Sequence, residues 1–190
     1  MMMMDLPLLA NWLGFLALIS YIVTLLPTIL KIVFPATKGT EIPQVLLKQR
    51  RLIGILAFFF SVGHGILFIN KRNIDWFDLK TFLVYFQGLS TFTIFAILTA
   101  TSNNWSIKKL NKNWKEVHKL TYFAMFLLTW HIWQKMSGHW TYITPIGIVL
   151  ISGVTILFII RLGIEYRLKQ QKTVNQPQKI AQETEELIKN

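Results

Sequence analysis

Four stretches of this 190-residue chain, 6–30, 52–70, 81–107 and 136–160, each run 18 residues or more without an aspartate, glutamate, lysine or arginine. A hydrocarbon core of ~30 Å takes about 20 helical residues to cross, and no water is available there to satisfy exposed backbone groups. Each stretch therefore predicts a transmembrane helix. A fifth, 120–134, holds 15 uncharged residues, and Lys119 and Lys135 at its ends can snorkel to the interfaces and lengthen it to a full span. The expectation is an all-α integral membrane protein, a five-helix transmembrane bundle over about 6–30, 52–70, 81–102, 115–136 and 142–161, forming one domain from 1 to 162. Composition agrees, since 53% apolar and 15% charged side chains do not describe a soluble surface.

The net charge of +11 is organised by that pattern. Sixteen of the 20 lysines and arginines fall between the first and second spans, between the third and fourth, or after the fifth, and four fall on the other side. By the positive-inside rule the N-terminus is outside and the C-terminus cytoplasmic. The charge then needs no nucleic acid partner, and no base-reading motif accompanies it. The start lacks a basic n-region and a small-residue cleavage pattern, which predicts a retained first helix. Pro27 is expected to bend the inner end of that helix, and Pro35, Gly39 and Pro43 mark a turn-rich loop. Residues 163–190, rich in Gln and Lys and closing on Glu183, Glu185 and Glu186, predict a weakly ordered polar cytoplasmic tail with room for one short helix. Trp12, Trp76, Trp105, Trp114 and Trp140 lie near span ends, as an aromatic belt requires.

Several chemistries are excluded. With no cysteine there is no disulfide, iron-sulfur cluster, Cys-ligated zinc or covalently attached haem. No glycine-rich phosphate loop follows a strand pattern, so the sequence shows no nucleotide-binding domain.

The histidines carry the remaining chemistry. His64 lies 13 residues past Arg51 and His131 12 residues past Lys119. At 1.5 Å per residue this puts them ~20 Å and ~18 Å from their inner basic anchors, at similar depth on two parallel helices. An ionisable group inside a membrane points to a functional site with a partner to be named. Two neutral imidazoles across a gap between helices are what a low-spin haem iron requires; the alternative is that each hydrogen-bonds a neighbouring helix. His118, 13 residues before His131, is ~20 Å away along the axis and about 140° around it. A second haem nearer the inside would want a partner where Arg50 and Arg51 stand, so His118 is left as a second-haem ligand, a contact to a flavin or propionate, or an interfacial residue. His139 falls in an outer loop.

The string Lys48-Gln49-Arg50-Arg51-Leu52-Ile53-Gly54, then His64, then Thr99-Ala100-Thr101-Ser102-Asn103, then Trp114-Lys115-Glu116-Val117-His118-Lys119-Leu120-Thr121-Tyr122 and His131, resembles the ferric reductase-like transmembrane domain. Within that superfamily it is most similar to the MsrQ (YedZ) branch of haem-binding membrane subunits, over roughly residues 48–136. The resemblance implies a membrane b-type cytochrome, an oxidoreductase electron-transfer subunit holding one haem b or two, with FMN as a further candidate. Electrons would pass from a cytoplasmic flavin reductase or quinol to an outer-side redox protein, for that branch a molybdenum methionine-sulfoxide reductase, in a bacterial-type plasma membrane. It makes His64 and His131 axial ligands, His118 a ligand or cofactor contact nearer the inside, and Arg50 and Arg51 contacts to a propionate or flavin phosphate through bidentate hydrogen bonds. Compared with the six-span layout of that branch, the chain begins at the equivalent of the second span. The helix of His64 carries one histidine where two-haem reductases carry two. The stretch 103–115, with four lysines and two tryptophans, is where an acidic donor would dock. The rival class is a non-redox transporter subunit or assembly scaffold, in which the histidines serve proton relay or packing.

Overall fold

The computed structural model describes residues 6–71, 79–136 and 142–189, and among them every element is helical. The helices are α1 (Leu6–Val33), α2 (Glu41–Lys71), α3 (Leu79–Ala100), α4 (Asn104–Leu110), α5 (Lys112–Met136) and α6 (Ile143–Lys189), with a 3₁₀ turn at Pro35–Gly39 between the first two. Four are long and apolar enough to cross a membrane, over Leu8–Val33, Glu41–Ile69, Phe82–Ala100 and Ile143–Gln171. The chain is an integral membrane protein. α5 has 25 residues but is not apolar enough to qualify on the same terms. Trp76, His139 and Trp140 lie outside the described residues.

Boundaries differ from the sequence expectations where polar residues extend a helix beyond its apolar span. α2 begins at Glu41, eleven residues before the uncharged stretch, because its first turn suits an acidic side chain at the positive end of the dipole and accepts Pro43, whose missing N–H needs no partner there. α6 does not give way to an irregular tail: it runs for 47 residues to Lys189, through a stretch rich in the good helix formers Gln, Lys and Glu, and continues past Pro177. Pro27 sits buried inside α1, and the helix continues past it to Val33. Asn111, at φ 46°, makes the joint between α4 and α5, a backbone region in which asparagine is one of the few comfortable residues.

α1 is the central helix. Its face of Leu18, Tyr21, Ile22, Leu25 and Ile29 has helical spacing and meets Ala57 of α2, Phe95 of α3, Met125 of α5 and Ile151 and Phe158 of α6 in one core. α1 packs on α2 and α6, α3 on α5 and α2, and α5 on α6, whereas the backbones of α2 and α5 stand apart. Outward-facing apolar side chains such as Phe59, Ile66, Phe86, Val149 and Ile156 are more than half exposed. On a soluble protein so much apolar surface would be a liability; here it faces lipid.

Candidate functional site

His64 points from α2 onto α1, where its Nδ1 lies 2.8 Å from the carbonyl oxygen of Ala10. A carbonyl only accepts, so Nδ1 carries the proton and the lone pair of the neutral imidazole sits on Nε2. His131 does the same from α5 onto α3, with Nδ1 3.1 Å from the carbonyl oxygen of Val84. Phe68 flanks the His64 ring at 4.8 Å between centroids. Both imidazoles are half-buried.

Helix registers place the two at similar height. The Tyr21 ring of α1 rests on the Phe95 ring of α3 at 5.0 Å, which fixes the register of these parallel helices. Ala10 is eleven residues before Tyr21, and Val84 is eleven before Phe95. Both carbonyls are therefore ~16 Å above the ring pair, and both histidines are held at that level. The stacking of Phe58 on Phe92 at 5.5 Å gives α2 and α3 a compatible register.

A second feature lies toward the other end of the bundle. A cavity of about 400 Å³ opens between α1, α2, α3, α4 and α5, with Arg50, Arg51, Trp114, Lys115, His118 and Lys119 in its lining. The His118 ring packs on Trp114 at 4.1 Å, and its Nε2 is 3.3 Å from the Thr101 hydroxyl. Trp114 Nε1 donates to the Thr101 carbonyl at 3.0 Å, and Arg51 donates to the Asn104 side chain at 3.0 Å, which fastens α2 and α5 to the α3–α4 junction. Asn103 caps α4 there, accepting from the Ser106 amide at 2.7 Å.

The structure thus sorts the candidate residues into two groups. His118, Arg50 and Arg51 share the cavity, while His64 and His131 lie above it and do not line it. Among the described residues no three His, Cys, Asp or Glu side chains gather into a cluster that could hold a metal ion. The carbonyls of Ala10 and Val84 could not be foreseen, because a main-chain acceptor has no residue-type signature.

A family model described as "Ferric reductase like transmembrane component" matches residues 13–129. The match takes in Arg50, Arg51, His64 and His118 and stops two residues short of His131. The "Protein-methionine-sulfoxide reductase heme-binding subunit MsrQ" of Brucella ovis is 34% identical over 118 residues, 60% of this chain and 50% of that protein. The protein of the same name from Bordetella pertussis is 29% identical over 100 residues, 49% of this chain and 48% of that protein. The chain spans about half the length of the curated relatives it matches. No solved structure matches it.

Proposed function

We propose, from the premise that this chain belongs to the ferric reductase-like transmembrane family, that it is a membrane b-type cytochrome, an electron-transfer subunit similar to the haem-binding MsrQ proteins. The observation that carries this is the matched pair of imidazoles: His64 and His131, on helices whose backbones stand apart, each turn Nδ1–H to a carbonyl of a neighbouring helix at the same height. Metal-binding histidines characteristically donate their other ring N–H in this way, which fixes the ring and makes the ligating nitrogen more basic. The residues fit the group: Nε2 of His64 and Nε2 of His131 would hold it. Haem b in that place supplies a one-electron carrier within the bilayer.

The protein's own contribution is orientation, dielectric and docking. The apolar faces of α2, α3 and α5 keep the pair away from water. Arg50, Arg51, Lys115 and Lys119, with His118 among them, give the lower cavity a positive lining suited to an anionic planar group: an FMN phosphate, or the propionates of a second haem. Exposed Lys108, Lys109 and Lys112 carry that charge to the surface beside Trp105, whose ring lies 4.6 Å from the Lys109 ammonium, where an acidic cytoplasmic flavin reductase would dock; a quinol would enter from lipid instead. Electrons then leave on the far side to an outer redox protein, for which the name of the relatives points to a methionine-sulfoxide reductase.

Five spans follow if α5 crosses as well. Its support is the placement of His131 level with His64, which requires α5 to climb from the basic loop to the upper half of the bundle. The sixteen-to-four division of basic residues supports an outer N-terminus and an inner C-terminus, and the same rule is what a bacterial-type plasma membrane imposes.

The test is a dithionite-reduced minus oxidised absorption spectrum of the purified protein beside His64→Ala, His131→Ala and His118→Ala. The expected result is a sharp low-spin b-haem spectrum that the first two substitutions abolish. Full retention in His118→Ala reports one haem, and partial loss reports a second. A colourless wild type from haem-replete cells overturns the proposal in favour of a scaffold or transporter subunit.

A further inference from the structure

Each imidazole reaches its carbonyl across a glycine. A Cβ on Gly14 would lie 2.6 Å from Nδ1 and 2.8 Å from Cε1 of His64, and a Cβ on Gly88 would lie 3.1 Å from Cε1 of His131. Gly14 is four residues past Ala10, and Gly88 is four residues past Val84. In a helix the residue four positions on closes its N–H onto that carbonyl and stands over it on the same face. A side chain there would cover the oxygen's second lone pair, whereas glycine leaves it open to a donor from the next helix.

The arrangement occurs twice, once on α1 for the histidine of α2 and once on α3 for the histidine of α5. Close approach is not general to the glycines of this bundle. Gly65 and Gly153 have nothing within 4 Å of an added Cβ, and Gly63 and Gly147, at 3.0 and 3.1 Å, meet a leucine side chain first, with Phe15 at 4.0 Å from the latter, and no imidazole. Glycine inside a helix costs stability relative to alanine, and at Gly14 and Gly88 the imidazole packed on the backbone supplies a reason for it.

We propose that Gly14 and Gly88 are positioning residues that fix the tautomer and ring plane of His64 and His131, so that ligands carried by α2 and α5 are set by two helices that carry none. The consequence for haem rests on the function proposed above. An Nδ1–H held on a carbonyl strengthens donation from Nε2, which favours the ferric iron and lowers the reduction potential.

The experiment begins without haem. Protein labelled with ¹⁵N-histidine is reconstituted in bilayers, and its ring nitrogens are assigned by the signals lost in His64→Ala and His131→Ala. The wild type is expected to show both residues protonated at Nδ1. Gly14→Ala should shift the His64 ring signals and leave those of His131, Gly88→Ala should do the reverse with a smaller shift, and Gly153→Ala should change neither. The haem-loaded forms are then titrated, and the two former variants should have raised midpoint potentials while Gly153→Ala matches wild type. Unchanged His64 nitrogens in Gly14→Ala overturn the inference. Should that variant fail to insert, Gly88→Ala, whose neighbour needs to yield only slightly, decides by the same criterion at His131. A wild type with both Nδ1 protons in place but no haem binding would sink the function and leave the positioning role standing.

Discussion

The Tyr21 hydroxyl donates to the main-chain carbonyl of Thr121, one hundred residues away, and so ties the central helix α1 to α5 although their backbones stand apart. Thr121 is ten residues below His131 and Tyr21 eleven below Ala10, so this bond holds α5 at the height that brings His131 level with His64. Tyr21 is only 3% exposed, so the bond is largely shielded from bulk solvent. Tyr21→Phe is expected to cost about 1 kcal/mol, the net worth of one buried hydrogen bond, and to lower the thermal midpoint of the detergent-solubilised protein. An unchanged midpoint would show that α5 is held by packing alone.

Arg161 fastens α6 to α5 in the same manner. It donates to the Tyr122 hydroxyl at 3.1 Å and to Glu165 at 2.9 Å, and its guanidinium lies over the Phe158 ring at 5.9 Å. Because the Glu165 side chain is 40% exposed, that ion pair is screened and contributes little. The Tyr122 contact should dominate. A double-mutant cycle of Arg161→Gln with Tyr122→Phe is expected to give a coupling of about 1 kcal/mol, and the cycle with Glu165→Gln about half of that or less.

Gln87 is fully buried on α3, beside Gly88, and neither polar atom of its amide has a hydrogen-bond partner among the described residues. Such an amide costs about 1–3 kcal/mol relative to an apolar side chain of the same size. Gln87→Leu should therefore hold or raise the melting temperature. A clear fall would reveal a bound water or cofactor atom on the amide, and haem content measured on the same sample separates the two.

Topology is testable because the chain has no cysteine to remove. Tyr142 is 98% exposed, just before α6, and Gly39 is exposed in the turn between α1 and α2. In intact cells a membrane-impermeant maleimide should label Tyr142→Cys, and should reach Gly39→Cys only after the membrane is permeabilised. The opposite pattern would invert the bundle.

Much of the fold can be read along the chain. The uncharged stretches mark α1, α2, α3 and α6, because hydrocarbon penalises a charge wherever it stands and a helix needs a set length to cross. Those penalties are local, and so legible. Helix ends were less so: α2 starts at Glu41 and α6 runs to Lys189, since a helix does not stop where the membrane does. The Arg50, Arg51 and His118 grouping was half legible, through the spacing that set the two arginines opposite a lower site.

By itself the sequence determined that the chain enters a membrane and which ends carry the basic residues, and it set the expectation that His64 and His131 sit at matching depth. Only the tertiary structure decided which carbonyl each imidazole meets, hence which ring nitrogen carries the proton, and that Gly14 and Gly88 make room for it. These partners are 54 and 47 residues from their histidines, on other helices. Which groups meet there depends on the rotation and register of one helix against another. Side-chain packing of the whole bundle sets both, including rings such as Tyr21 and Phe95, and no single stretch of sequence encodes them.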